Sequence, residues 1–207
     1  MSVFFRTRLA IATMLCAFGL ILTAVAQEQE VTNNAKQSTP SPTSSVLTVK
    51  IAEQFLADKY SVVLDKFKTI EDAAAEALSK HEGVLILAGL TELSDAQAES
   101  LSKHRGALDL SGVTELSDAA AESLSKHEGE RLHLSGLTEL SDAQAESLSK
   151  HEGKWLYLWG VTELSDTQAE SLSAYEGRLY VDYVKQPPSA AKIIRDSRTP
   201  DGTRRKK

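Results

Sequence analysis

Two sets of side chains recur at spacings that could support chemistry. The first is Ser-x-x-Lys, at Ser100–Lys103, Ser123–Lys126 and Ser147–Lys150, a pattern also found in serine acyl-enzymes. A nucleophile needs one strained site with an oxyanion hole, whereas these are three equivalent positions on helices. The sequence also lacks G-x-S-x-G, P-loop and G-x-G-x-x-G motifs. We therefore expect a protein that is not an enzyme.

The second set is a series of regularly spaced histidines that ends in a tyrosine: His81, His104, His127, His151 and Tyr175. A metal site or a pH switch would be a functional interpretation of this series. A column of single ligands provides no tetrahedral cluster, however, and H-E-x-x-H is absent. We expect stacked, half-buried neutral imidazoles that satisfy backbone groups at helix C-termini, with no metal and no cofactor.

These residues belong to a tandem repeat. Four stretches read almost alike, at 90–104, 113–127, 137–151 and 161–175, and the first and third are identical. A degenerate copy occupies 67–81. The period is 23 residues early and 24 later, which indicates an array of one supersecondary unit rather than a globule with a unique core. Such arrays build extended binding surfaces.

Each unit predicts a strand followed by a helix, as 106–129 illustrates. Leu108 and Leu110 alternate with polar residues, the period of a strand with one buried side. Ser117 is placed to cap the helix N-terminus, and Gly129 to adopt the left-handed conformation after its C-terminus. Strand, helix and strand in succession require parallel pairing with right-handed connections.

The same register predicts an α/β solenoid with short parallel strands on one face and helices on the other. Six strand cores are expected, at Val62/Leu64, Leu85/Leu87, Leu108/Leu110, Leu132/Leu134, Leu156/Leu158 and Leu179/Val181. Five helices are expected near 72–81, 95–104, 118–127, 142–151 and 166–175.

The repeated string LxLSGxTELSDAxAESLSKHxG resembles a bacterial leucine-rich repeat, in which LxL forms the strand and a later leucine lies on the returning helix. It is especially similar to secreted bacterial proteins with near-identical tandem copies of this unit. Two departures are the missing asparagine after the strand and a histidine at an apolar position of the helical side. The resemblance implies a solenoid that binds a ligand or protein, and no shared catalytic chemistry.

The strand positions that face away from the leucines vary from unit to unit, while the amino-acid sequence of the helices stays nearly constant. Large and charged residues gather in the last units: Trp155, Tyr157, Trp159, Tyr180, Arg131, His133 and Arg178. Exposed aromatic residues rimmed by charge are typical anchors for proteins, and they also stack on sugars. Two alternatives remain: a C-terminal segment with Ile193 and Ile194 covers these strands, or the variation is unselected drift.

The N-terminus reads as an export signal at 1–26. Arg6 and Arg8 precede an apolar run that ends in a small-x-small cleavage pattern at Ala24–Ala26. The alternative is an outward-facing protein anchored in the membrane by residues 9–26. Cys16, the only cysteine, lies in this leader, so no disulfide is expected in the exported domain.

The remaining chain divides into four regions: a disordered linker at 27–47, an N-terminal cap helix at 48–59, the repeat solenoid at 60–184, and a short cap segment with a basic tail at 185–207. The tail has eight basic and two acidic residues, about +6. The net charge of −6 therefore leaves about −12 on the rest of the chain. A solvated, disordered tail is expected.

Together these features predict an exported binding module that recognises a protein, or a surface glycan, through its strand face. The alternative is a structural spacer or envelope component without a specific ligand. Nucleic acid is not an expected partner, because the body of the chain is acidic and phosphate binding needs a basic face.

Overall fold

Short parallel strands and helices alternate along residues 45–205, the part of the chain that the computed structural model describes. The elements in chain order are β1 (Val46–Leu47), α1 (Val49–Ala57), a 3₁₀ turn (Leu64–Lys66), β2 (Thr69–Ile70), α2 (Asp72–Ser79), β3 (Leu85–Ile86), α3 (Asp95–Ser102), β4 (Leu108–Asp109), α4 (Asp118–Ser125), β5 (Arg131–His133), α5 (Asp142–Ser149), β6 (Trp155–Leu158), α6 (Asp166–Ser173), β7 (Arg178–Val181) and α7 (Pro188–Ser197). The predicted export signal and all but the last residues of the predicted linker lie outside the described residues.

The sheet has five parallel strands in chain order, from β3 to β7. Its register aligns one leucine from each strand into a ladder: Leu85, Leu108, Leu132, Leu156 and Leu179. All five are buried. Because burying one leucine side chain contributes about 1.5–3 kcal/mol, the ladder stabilises the array only when several units stack. The predicted α/β solenoid arrangement is confirmed.

The helices begin where the sequence predicts. Ser94, Ser117, Ser141 and Ser165 are N-caps whose side chains accept a hydrogen bond from the third helical residue. Three of these form complete capping boxes with a glutamine, as at Ser94 and Gln97. The helices end at the residue two before each histidine or tyrosine of the series, slightly earlier than expected.

The role predicted for Gly129 is wrong. Among the described glycines, only Gly83 and Gly202 have a positive φ. A Cβ on Gly129 would instead lie 1.9 Å from the carbonyl oxygen of Gly106 and 2.5 Å from Nε2 of His127. This position therefore requires glycine because adjacent units approach each other closely there, and the left-handed conformation plays no part.

The N-terminal end differs from the prediction in several elements. Strand β1 lies at the end of the predicted linker and pairs in parallel with β2, which was not predicted either. The strand expected at Val62/Leu64 is absent, and Leu64–Lys66 forms the 3₁₀ turn instead. The backbone N–H of Phe67 donates to the carbonyl of Leu64, so local bonds use groups that a strand would pair with its neighbour. Helix α1 packs against α2 and buries Ile51, Ala52 and Phe55.

The C-terminal end also differs from the prediction. Helix α7 packs against α6 and buries Ile194, so it extends the helix layer and does not cover the strand face as one alternative supposed. The following segment is folded: Arg198 is buried and forms an antiparallel bridge with Arg204. The solvated tail predicted from charge is therefore wrong up to residue 205.

Within residues 45–205, no helix has the length and apolar character needed to cross a membrane.

Candidate functional site

The lysines of the Ser-x-x-Lys pattern contact glutamates on their own helices. Nζ of Lys103 lies 3.3 Å from Oε1 of Glu99, and Nζ of Lys126 lies 2.9 Å from Oε1 of Glu122. Both pairs are exposed and join residues four apart, an arrangement that contributes little to stability. The lysine has the same exposed partner in each of the three copies, so none of the copies has a side-chain arrangement that differs from the others.

The recurring histidines form the predicted stack, which we term the histidine ladder: His81, His104, His127, His151 and Tyr175. Successive ring centroids lie 5.9–6.2 Å apart with planes inclined by 2–17°. Nε2 of His104 lies 3.1 Å from the carbonyl oxygen of Gly83. The hydroxyl of Tyr175 donates a hydrogen bond to the carbonyl oxygen of Gly153 at 2.7 Å. Most rungs thus satisfy a glycine carbonyl in the preceding unit.

Burial disfavours the charged form of these imidazoles. Desolvation lowers the pKa values of His81, His104 and His151, and it lowers the pKa of His127 to about 4, with further contributions from the neighbouring rungs. Nδ1 of His104 and of His127 is buried without a hydrogen-bond partner. The predicted stack is confirmed, but His104, His127 and His151 are buried rather than half-buried, and neither ring nitrogen of His151 has a hydrogen-bond partner. Among residues 45–205 no cluster of three or more His, Cys, Asp or Glu side chains could hold a metal ion.

Arg198 is a final rung of this ladder that the sequence pattern did not reveal. Its guanidinium lies 5.7 Å from the ring centroid of Tyr175. It donates to the carbonyl oxygens of Gly177 and Leu172, both at 2.8 Å. Leu172 lies in the last turn of α6, and its carbonyl oxygen also accepts from the backbone N–H of Tyr175. The negative end of the helix dipole favours a cation at this place. The buried charge is therefore stabilised by the exposed end of the last repeat helix.

The face of the sheet opposite the leucine ladder carries a second row of aligned residues. The register places Ile86, Asp109, His133, Tyr157 and Tyr180 side by side on successive strands. The row changes from aliphatic at β3 to polar at β4 and β5 and to aromatic at β6 and β7. No such change occurs among the buried leucines, so the variation is confined to the strand face.

Four side chains at the end of this row form the aromatic patch: Trp155, Tyr157, Trp159 and Tyr180. The rings of Tyr157 and Tyr180 stack at 4.5 Å with planes 4° apart, and Trp159 lies 6.2 Å from Tyr180. Trp159 is 48% exposed, and the other three are half-buried. The patch therefore joins two strands into one continuous surface that reaches solvent.

The predicted charged residues border the patch in different ways. The guanidinium of Arg131 lies 5.1 Å from the ring centroid of Trp155, and Nζ of Lys154 lies 5.9 Å from it. His133 packs its ring edge-on against Tyr157 at 4.2 Å, with Nδ1 3.7 Å from Oδ1 of Asp109. Arg178 turns away and pairs with Asp201 in the C-terminal segment at 3.3 Å.

Beyond the patch lies a cavity of about 570 Å³, which we term the C-terminal groove. It is lined in part by Trp159, Tyr180, Tyr183, Arg195, Arg198 and Arg205. The sequence interpretation missed the last four. Tyr183 lies beyond the last predicted strand core, and the three arginines lie in the basic tail, which carries no periodic signal. The exposed aromatic Tyr183 directly after the last strand is the one sequence feature that could have indicated a continuation of the aromatic patch.

No family model, curated protein or solved structure matches this chain. Its class therefore follows from its own geometry. It is an α/β repeat protein in which a five-stranded parallel sheet alternates with helices in a solenoid-like arrangement.

Proposed function

We propose that this chain is an exported, non-enzymatic protein of leucine-rich-repeat type that binds another protein through its strand face. The leucine-rich-repeat assignment is supported by the buried LxL strands and by a buried leucine on each returning helix, such as Leu124. The observation that carries the binding proposal is the aromatic patch, because the fold does not need it: the leucine ladder already fills the inward side of β6 and β7.

The composition of the patch fits an interface. Tyrosine, tryptophan and arginine are the residues most enriched among those that dominate binding energy. Here they occur together on one face, with Arg131 over Trp155 and with Trp159 half-exposed. The matching positions in the repeat that contains β4 are Ala107, Asp109 and Ser111, so a repeat of this kind folds with small and polar residues there.

The ring contacts favour a protein over a glycan. A sugar stacks on a free ring face, but Tyr157 and Tyr180 cover one face of each other, and Arg131 and Lys154 lie over Trp155. Trp159 has the most accessible ring of the four. Protein partners bind such packed patches through edges, hydroxyls and the arginine rim as well as through ring faces.

The test is capture by the immobilised full chain from surface and culture fractions of the cells that make it. The variant Trp155→Ala/Tyr157→Thr/Trp159→Ser takes its alanine and serine from the matching positions of the repeat that contains β4. A matched control, Val84→Ser/Ile86→Thr, changes exposed residues at the other end of the same face. We expect a saturable partner that the control retains and the aromatic variant loses, with the melting temperature nearly unchanged.

Two different results would contradict the proposed binding function. A spacer without a ligand would capture nothing saturable, and all three proteins would behave alike. A large fall in the melting temperature of the aromatic variant would show that the patch is structural, and the proposed recognition role would be rejected.

A further inference from the structure

The C-terminal groove combines apolar surface with an excess of positive charge. Its volume of about 570 Å³ lies within the range of ligand sites. Trp159 and Tyr183 are among the most exposed aromatic residues of the described chain, and Val184 beside them is almost fully exposed. Contiguous exposed apolar surface of this kind indicates a binding site.

The carboxylates in the groove are already engaged. Oδ2 of Asp182 lies 3.4 Å from Nζ of Lys185, and Oδ2 of Asp201 lies 3.3 Å from Arg178. Asp201 also accepts hydrogen bonds from the hydroxyls of Thr199 and Thr203, and these bonds lower its pKa to about 2. Both carboxylates thus already have cationic partners, Lys185 and Arg178, outside the set Arg195, Arg198 and Arg205.

The arginines of the groove lack such partners. Within residues 45–205, no ion pair joins Arg195, Arg198 or Arg205 to a carboxylate. Arg198 is buried, and its Nε has no hydrogen-bond partner. The groove therefore presents the exposed guanidinium groups of Arg195 and Arg205 near the buried charge of Arg198, at one end of a body that is otherwise acidic.

We propose that the C-terminal groove binds an acidic peptide segment of a partner protein. Carboxylates of the peptide pair with Arg195 and Arg205, the two arginines on the rim, and adjacent apolar side chains pack on Trp159, Tyr183 and Val184. The buried guanidinium of Arg198 adds positive charge to the lining of the groove. This proposal rests on the proposed function, because the groove shares Trp159 and Tyr180 with the aromatic patch.

Charge and ring geometry distinguish this occupant from others. A long polyanion such as a nucleic acid would extend over the acidic repeats and be repelled, whereas a short segment with a few carboxylates contacts only the groove. An acidic sugar would bring a carboxylate but needs free ring faces, and Tyr180 is stacked against Tyr157. Bidentate guanidinium–carboxylate pairs are well suited to aspartate and glutamate side chains.

The experiment measures fluorescence anisotropy of a labelled peptide, Gly-Glu-Phe-Glu-Glu-Phe-Gly, titrated with the full chain. Its matched probe carries Gln in place of each Glu. The test variant is Arg195→Gln/Arg205→Gln, and the control is Lys126→Gln/Lys150→Gln, which removes the same charge from two exposed lysines that pair with glutamates on the helices outside the groove. We expect the acidic peptide to bind the chain and the control alike, and the arginine variant at least about tenfold more weakly.

Arg205 also donates from Nε to the carbonyl oxygen of Arg198, so its loss could loosen the segment. Arg195→Gln alone avoids this, and it should still weaken binding severalfold and reduce its dependence on salt. The proposal is overturned if the Gln peptide binds as tightly as the Glu peptide, or if neither arginine variant changes the Kd. It is also overturned if oligogalacturonate binds instead, or if the free chain associates with itself through these arginines.

The capture assay separates this proposal from the proposed function. If the arginine variant retains the partner that the aromatic variant loses, the strand face is the binding site and the groove proposal fails alone. If the aromatic variant retains the partner, the strand-face function fails.

Discussion

Acidification from pH 7 to pH 5 should destabilise the protein through the histidine ladder. His127 is 2% exposed, and burial lowers its pKa to about 4. In the unfolded chain its pKa returns to about 6.5. Because the folded form disfavours the charged imidazole, this contribution to stability is complete above pH 6.5 and is lost as the pH falls towards 4.

The magnitude follows from the separation of the two pKa values. Stability falls by about 1.4 kcal/mol for each pH unit between them, so His127 alone removes about 2 kcal/mol by pH 5. His104 and His151 are buried too and act in the same direction. The acidic groups with lowered pKa values, such as Glu122, lose their contributions only below about pH 4.5. The interval from pH 7 to pH 5 therefore isolates the histidines.

The assay is urea denaturation at pH 7 and pH 5 at constant ionic strength, with two reciprocal variants. His127→Tyr places in the ladder the residue that serves the last repeat at Tyr175, whose hydroxyl donates to Gly153. It should remove about 2 kcal/mol of the pH dependence. Tyr175→His adds a buried imidazole beside Arg198 and should increase the pH dependence. If His127→Tyr is as acid-sensitive as the unchanged protein, the buried-ladder reasoning is refuted.

Three further predictions concern stability. Leu110→Ala should cost about 2–5 kcal/mol in urea denaturation, because it removes a buried rung from the middle of the sheet, while Val62→Ala outside the sheet should cost clearly less; equal losses would contradict the nearest-neighbour account. Arg198→Met should lower the melting temperature because it removes the hydrogen bonds to the carbonyl oxygens of Gly177 and Leu172, and an unchanged value would show that this rung is dispensable. Gly129→Ala should destabilise markedly at neutral pH, whereas Ala119→Gly on the exposed helix surface should cost only about 1 kcal/mol.

The repeat period allowed most of the fold to be predicted. A constant period places equivalent residues in register, so the leucines of β3 to β7 and the serine caps could be assigned without coordinates. The prediction failed where the repeat ends. At Leu64 the local 3₁₀ turn replaced a strand, and at Arg198 a charged residue found carbonyl acceptors on two earlier segments. Contacts of that kind depend on how the segments outside the repeats fold back against the repeats, and the repeat period contains no information about this.

The candidate site was predicted in part for the same reason. Strand alternation placed Trp155, Tyr157 and Trp159 on one face, and the register brought Tyr180 beside them. The groove beyond Trp159 was not predicted, because it forms only when the segment after α7 folds back and the backbone N–H of Leu179 donates to the carbonyl of Gly202.

Different side chains cover the first and the last ring of the histidine ladder. At the N-terminus, Phe55 packs its ring edge-on against His81 and closes the ladder with an apolar surface. At the C-terminus, Arg198 closes it with a charge that has no carboxylate partner among residues 45–205. A buried cation is costly unless hydrogen bonds or an anion compensate it, and helix carbonyls supply only the first. The unbalanced charge thus lies at the same end as the aromatic patch, where an acidic partner would both bind and stabilise the cap.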